Sequence, residues 1–207
     1  MPMPSSKIKR RNSLTKVTRK KAAKTTSHKP GRLSKIVLML AVPAVIYFIF
    51  FCIFTWPWIT HFNGWFFTDS GDGFQNVWNV WWINKAVMQL HQLPWHTSYL
   101  HAPYGVTLLG QTLNPFNGFV AILLLKFLTL NQAFNAMVIF SFVFGGITAF
   151  WLAYYFTRSY VSSLLGGFIF TFSSYHFAHA IGHMQLVSLQ FIPLFILLWW
   201  RLLKRPS

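Results

Sequence analysis

Acidic residues are almost missing from this chain. Of 207 residues only 2 are Asp or Glu, against 18 Lys and Arg. The two are Asp69 and Asp72, three positions apart in "FFTDSGDGFQNVWNVWW", so any chemistry that needs a side-chain carboxylate must draw on this one stretch. Charged residues make up 10% of the chain, where a soluble domain carries about 25%; an ordinary soluble fold is excluded. Cysteine is nearly absent too. Cys52 is the only one, which rules out an internal disulfide and a Cys-based zinc site. No Walker loop, G-x-S-x-G, H-E-x-x-H or G-x-G-x-x-G occurs, so the common phosphate-loop, serine-hydrolase, zinc-protease and dinucleotide signatures are missing.

What fills the chain is apolar. The hydrophobic share is 54%, the aromatic share 19% and the mean hydropathy +0.44. Several apolar runs are long enough to cross a hydrocarbon core of about 30 Å. The expected architecture is an all-α polytopic membrane protein. About four transmembrane helices, near 36–59, 134–156, 161–177 and 186–203, make up a transmembrane domain over 36–207.

Basic residues are concentrated before the first span. Twelve of the 18 fall between Lys7 and Lys35, in a Ser- and Thr-rich, acid-free stretch that reads as a disordered cytoplasmic tail over 1–35. Its charge suits contact with anionic membrane lipid rather than nucleic acid, because an apolar span follows directly. The span reads as an uncleaved signal anchor entering from the cytoplasm, with Trp56 and Trp58 at the far interface.

The segment "FNGFVAILLLKFLTL", residues 116–130, is short and contains Lys126. If it crosses, Arg158 and the terminal cluster Arg201, Lys204 and Arg205 lie outside, against the positive-inside rule. The expectation is therefore that it does not cross. Both termini are then cytoplasmic, and an outside loop over 60–132 carries membrane-parallel helices. One of these is expected over 73–91, its Trp side in the headgroup boundary.

This topology gathers Asp69, Asp72, Gln75, His96, His101, His176, His179 and His183 on the outer face. Asp72 suits a helix N-cap, and either aspartate suits divalent-cation binding or general-base work. His176, His179 and His183 fall at i, i+3 and i+7, on one face of a continuous helix. Plain interfacial placement, a polar lining for a phosphate or sugar, and a zinc site remain open for them. Lys85 and Lys126 sit outside, in reach of an anionic headgroup or a lipid-linked phosphate. Gly145–Gly146 and Gly166–Gly167 suit close helix approach.

The order of features, from the signal-anchor helix through "SGDGFQNVWNVWW" and "LPWHTSYLHAPYG" to "FIFTFSSYHFAHAIGHMQLVSLQFIPLFILLWW", resembles the N-terminal part of bacterial GT-C glycosyltransferases. These are polytopic enzymes that use polyprenyl-phosphate-linked sugars. The resemblance covers about residues 36–205. It implies sugar transfer on the outer face of the bacterial inner membrane, from a lipid-linked donor and without nucleic acid. Asp72, in "GDG", would be the catalytic or metal-binding carboxylate and Asp69 its helper, with Mg or Mn as the possible ion. Gln75, Lys85 and His101 would help bind substrate, and His179 and His183 would face the donor phosphate. Such enzymes are much longer than 207 residues, so the chain is expected to be an N-terminal portion. The alternatives are a non-catalytic or truncated membrane scaffold and, less in keeping with spans almost clean of ionisable residues, a transporter subunit.

Overall fold

Pro43 sets how the first long helix begins. The computed structural model of the protein describes residues 31–204, and the basic tail over 1–30 lies outside the described residues. The chain divides into two units, Met1–Lys35 and Ile36–Ser207. In the first, helix α1 (Arg32–Ile36) starts within the expected tail.

In the second unit a π-helical turn, Val37–Ala41, leads into α2 (Val42–Phe54). Proline has no N–H, so one carbonyl in the turn before it loses its helical partner. Two distant side chains donate to carbonyls of that turn. The Tyr160 hydroxyl donates to the Leu38 carbonyl and the Trp151 indole to the Met39 carbonyl, each at 2.6 Å.

A 3-10 turn at Trp58–His61 follows. Next come α3 (Asp72–Met88), a small antiparallel hairpin of β1 (His96–Thr97) and β2 (Val106–Thr107), and α4 (Pro115–Leu124). The chain ends in α5 (Leu130–Thr157), α6 (Tyr160–Thr171), α7 (Ser174–Ala180), α8 (Met184–Val187) and α9 (Phe191–Leu203). Among the described residues two helical stretches, Leu33–Phe54 and Leu130–Thr157, are long and apolar enough to cross a membrane.

The other expected spans are interrupted. The run over 161–177 breaks after Thr171, because Ser173 caps a new helix, its hydroxyl accepting from the His176 N–H at 3.4 Å. The run over 186–203 is split into α8 and a 13-residue α9. The segment over 116–130 forms only a 10-residue helix, about 15 Å long and half of what a hydrocarbon core requires.

Helix α5 is the post on which the rest is hung. Its buried Asn135, Ser141 and Thr148 each bind backbone or side chains at irregular points of neighbouring segments. Asn135 holds the loop after the 3-10 turn: its Nδ2 donates to the Phe62 and Trp65 carbonyls, and its Oδ1 accepts from the Phe67 N–H at 2.9 Å. Thr148 donates to the Gln190 carbonyl at 2.9 Å, just before α9. Near the other end of α5, Tyr155 lies under two arginines. Asn135 and Tyr155 are twenty residues apart, so the two ends of this post lie about 30 Å from each other.

The glycine pairs do what their spacing suggests. The fully buried Tyr47 ring lies between Gly146 and Gly167, and its hydroxyl donates to the Leu164 carbonyl at 3.1 Å. A Cβ on Gly146 would stand 2.6 Å from that ring, so glycine lets α2, α5 and α6 close on one aromatic side chain.

Candidate functional site

The polar site lies at the Asn135 end of α5, where the N-terminus of α3 meets the turn between α7 and α8. The loop before α3 is short of backbone partners, and Asp69 supplies them. Its Oδ1 accepts from the N–H of Gly71 at 3.1 Å and of Gly73 at 2.8 Å. Asp69, not Asp72, is therefore the side chain that caps α3. The expected capping by Asp72 fails because Asp72 is itself the first helical residue, with Gly71 before it at the cap position.

Three further bonds join this loop to the α7–α8 turn. The Asp69 N–H donates to the Ile181 carbonyl at 2.6 Å, and the Thr68 hydroxyl to the same oxygen at 2.9 Å. The Asn76 amide donates to the Gly182 carbonyl at 2.8 Å while also holding the Asp72 carbonyl at 2.8 Å. Two glycines make the approach possible. A Cβ at Gly182 would lie 3.2 Å from Asp69 Oδ2, and one at Gly73 would overlap the Thr68 side chain.

Asp72 is thereby left free. Its carboxylate is 71% exposed, and His183 Nε2 stands 3.6 Å from its Oδ2. The two form an acid–imidazole pair open on one side. His179 completes the group: its ring centroid is 5.2 Å from that of His183 and 4.3 Å from that of Tyr175. The Nδ1 atoms of both histidines, and Asn76 Oδ1, are buried without a hydrogen-bond partner in the protein. Unpaired buried polar atoms are costly, and these three lie on the residues that bring α3 and the α7–α8 turn together.

No family model matches this chain, and no curated protein or solved structure does either.

The structure sorts the remaining candidates. Gln75 is exposed one turn after Asp72, on the same side of α3 by helical spacing. Lys85 lies 13 residues beyond Asp72, about 20 Å along the helix, where its Nζ donates to Gln89 at 2.7 Å. His101 is exposed in the loop between the two short strands. Neighbouring Tyr99 packs on Trp81 and Trp82, about 15 Å along α3 from Asp72. Lys85 and His101 thus stand apart from the pair.

The histidine row is also divided. Helix α7 stops at Ala180, so His183 sits beyond its end rather than on its face. His176 points inward. It is fully buried, stacked on Phe142 at 3.8 Å between centroids, with Nδ1 on the Thr171 carbonyl at 2.8 Å and Nε2 on the Val187 carbonyl at 3.0 Å. Among the described residues, no group of three or more His, Cys, Asp or Glu side chains is placed to hold a metal ion. Asp69 Oδ1 is already committed to two backbone N–H groups.

Asn76 and Gly182 were not legible as site residues. The available signal was Asn76 at i+4 from Asp72, one turn along the same face.

Proposed function

We propose that this chain is a polytopic, GT-C-like membrane glycosyltransferase, or a piece of one, that takes a sugar from a polyprenyl-phosphate donor on the extracytoplasmic face. Membrane insertion is supported by apolar side chains turned to the surface on three helices: Val45, Ile49 and Ile53 of α2, Leu165 and Ile169 of α6, and Phe195, Leu198 and Leu202 of α9. A water-soluble molecule rarely exposes so much apolar surface together. With about four crossings and both termini cytoplasmic, the Asn135 end of α5 faces out.

The observation that carries the catalytic reading is the division of labour between the two carboxylates. Asp69 is spent on the backbone, while Asp72 is exposed, unengaged by backbone donors and 3.6 Å from His183. In the transfer, an acceptor hydroxyl gives its proton to Asp72 as its oxygen bonds to the anomeric carbon. The bond from that carbon to the lipid phosphate breaks, and the phosphate leaves with the electron pair. His183, beside the carboxylate, either passes the proton on or donates to the phosphate oxygen. General-base assistance of this kind contributes about 10²–10⁴ in rate.

The test is transfer from radiolabelled polyprenyl-phosphate sugars in membranes carrying the protein. Glycosylated product that falls at least about 100-fold in Asp72→Asn supports the reading. Full activity in that variant, or no transfer from any donor in the panel, sinks it.

A further inference from the structure

The opposite end of α5 carries a second cluster with no chemistry assigned to it. Arg158 closes α5 in the left-handed conformation, at φ 56° and ψ 8°, where glycine is the unstrained choice. An arginine in that geometry is strained. Its guanidinium lies 5.5 Å from the Tyr155 ring centroid. The Arg201 guanidinium, from the last turn of α9, lies 5.6 Å from the centroid of the same ring. Lys204 adds a third cation, 5.3 Å from the Trp200 ring centroid.

These charges have no counter-ion among the side chains. The chain's only two carboxylate side chains are Asp69 and Asp72, about 30 Å away at the far end of α5. Two cations drawn to one tyrosine repel each other, and ring stacking leaves their edge N–H donors free. Beside them opens a cavity of about 400 Å³ lined by Met39, Trp151, Tyr154, Leu194, Leu197 and Leu198 as well as the two arginines. Two guanidinium groups lining one cavity with an otherwise largely apolar wall are complementary to a phosphodiester carrying an acyl chain.

We propose that Arg158, Arg201 and Tyr155 form a binding site for an anionic glycerophospholipid, its phosphate on the two guanidinium groups and one acyl chain in the adjoining cavity. The site rests on the membrane part of the reading above and not on sugar transfer.

The experiment is native mass spectrometry of the full-length protein in detergent, titrated with phosphatidylglycerol, phosphatidylcholine or inorganic phosphate. Wild-type protein is expected to retain phosphatidylglycerol at least about tenfold better than phosphatidylcholine, with inorganic phosphate failing to displace it. The double variant Arg158→Gln/Arg201→Gln loses that preference. Arg158→Lys/Arg201→Lys keeps the charge but loses most of it, because an ammonium group lacks the planar fork. Equal retention of both lipids by wild type overturns the proposal without relying on any variant. So does undiminished preference in the Gln pair, or displacement by inorganic phosphate, which would mark a free-anion site. Loss of transfer activity in Asp72→Asn leaves this readout unchanged, so the two readings fail separately.

Discussion

The Asp69 carboxylate accepts the N–H of Gly73 at 2.8 Å and so caps the helix that begins with the other aspartate. Two acids three residues apart thus have different work, one structural and one available for chemistry. Asp69→Ala removes the cap and is expected to lower stability by about 1 kcal/mol, read as a lower melting temperature in detergent. Asp72→Asn is expected to melt like wild type, since its carboxylate holds no backbone. Equal melting losses in both variants would remove the distinction.

A second prediction follows from the turn facing that cap. Gly182→Ala places a Cβ 3.2 Å from Asp69 Oδ2, closer than carbon and oxygen normally sit. The carboxylate must shift, which weakens its hold on Gly73 and moves His183 relative to Asp72. The carboxylate has to give by only a few tenths of an ångström, so activity is expected to fall by less than the roughly 100-fold that a full 1 Å misplacement at a reacting pair costs, with stability near wild type. Unchanged turnover in Gly182→Ala would show that the turn does not set the geometry of the pair.

The helices were legible where the signal is one of composition. The first apolar run and the run through α5 stand out by length alone, and the short segment over 116–130 forms the ten-residue α4. The breaks at Phe172–Ser173 and near Ser188 were not legible, because apolar character continues straight through them. What ends those helices is a serine cap and carbonyls that need outside partners, and such partners are set by tertiary contact rather than by sequence period. The same limit explains the histidines. Spacing placed three of them on one face only if the helix ran on through Gly182; it stops at Ala180, His183 lies beside Asp72, and burial, which spacing does not show, turns His176 into the bundle. The Asp69 cap was missed for a related reason: both aspartates suit the cap by residue type, and only the backbone path shows which one reaches Gly73.

Glycine packing around Tyr47 gives a graded test. Gly146→Ala forces a methyl group against the Tyr47 ring, whereas a Cβ at Gly145 would find its nearest neighbour at an ordinary 3.5 Å. The first substitution is expected to destabilise by about 1–3 kcal/mol through overpacking, the second by little or nothing. Thermal melts of the two variants side by side decide it, and equal losses would mean that α2 does not close on α5 at Tyr47.

Topology is checked by labelling. With Cys52 replaced by alanine, Gln111→Cys lies in the loop before α4 and Lys204→Cys follows α9; both positions are exposed. Membrane-impermeant maleimide added to intact cells is expected to label the first and spare the second. Labelling of the second alone would place Asp72 and His183 on the cytoplasmic face, away from an extracytoplasmic donor.

His176 offers the sharpest stability prediction. The helix breaks after Thr171 and Val187 leave two carbonyls inside the bundle, 2.8 and 3.0 Å from the two imidazole nitrogens. A neutral ring has one N–H and donates to one of them, and the Ser141 hydroxyl also reaches the Val187 carbonyl. Ser141, on α5, stands 3.2 Å from the same ring and donates to Gln190 Oε1 at 2.9 Å, so a single side chain ties α7, α8 and α9 to the central post. His176→Phe keeps a flat ring to stack on Phe142 and loses only the nitrogens. The carbonyl that loses the ring N–H costs about 1–3 kcal/mol, so the variant is expected to unfold below wild type although its aromatic packing is preserved. His179→Phe serves as the control, because its ring Nδ1 has no protein partner to lose. If His176→Phe and His179→Phe melt together near wild type, the carbonyls are satisfied by something other than this ring, and the breaks in the two helices need a different explanation.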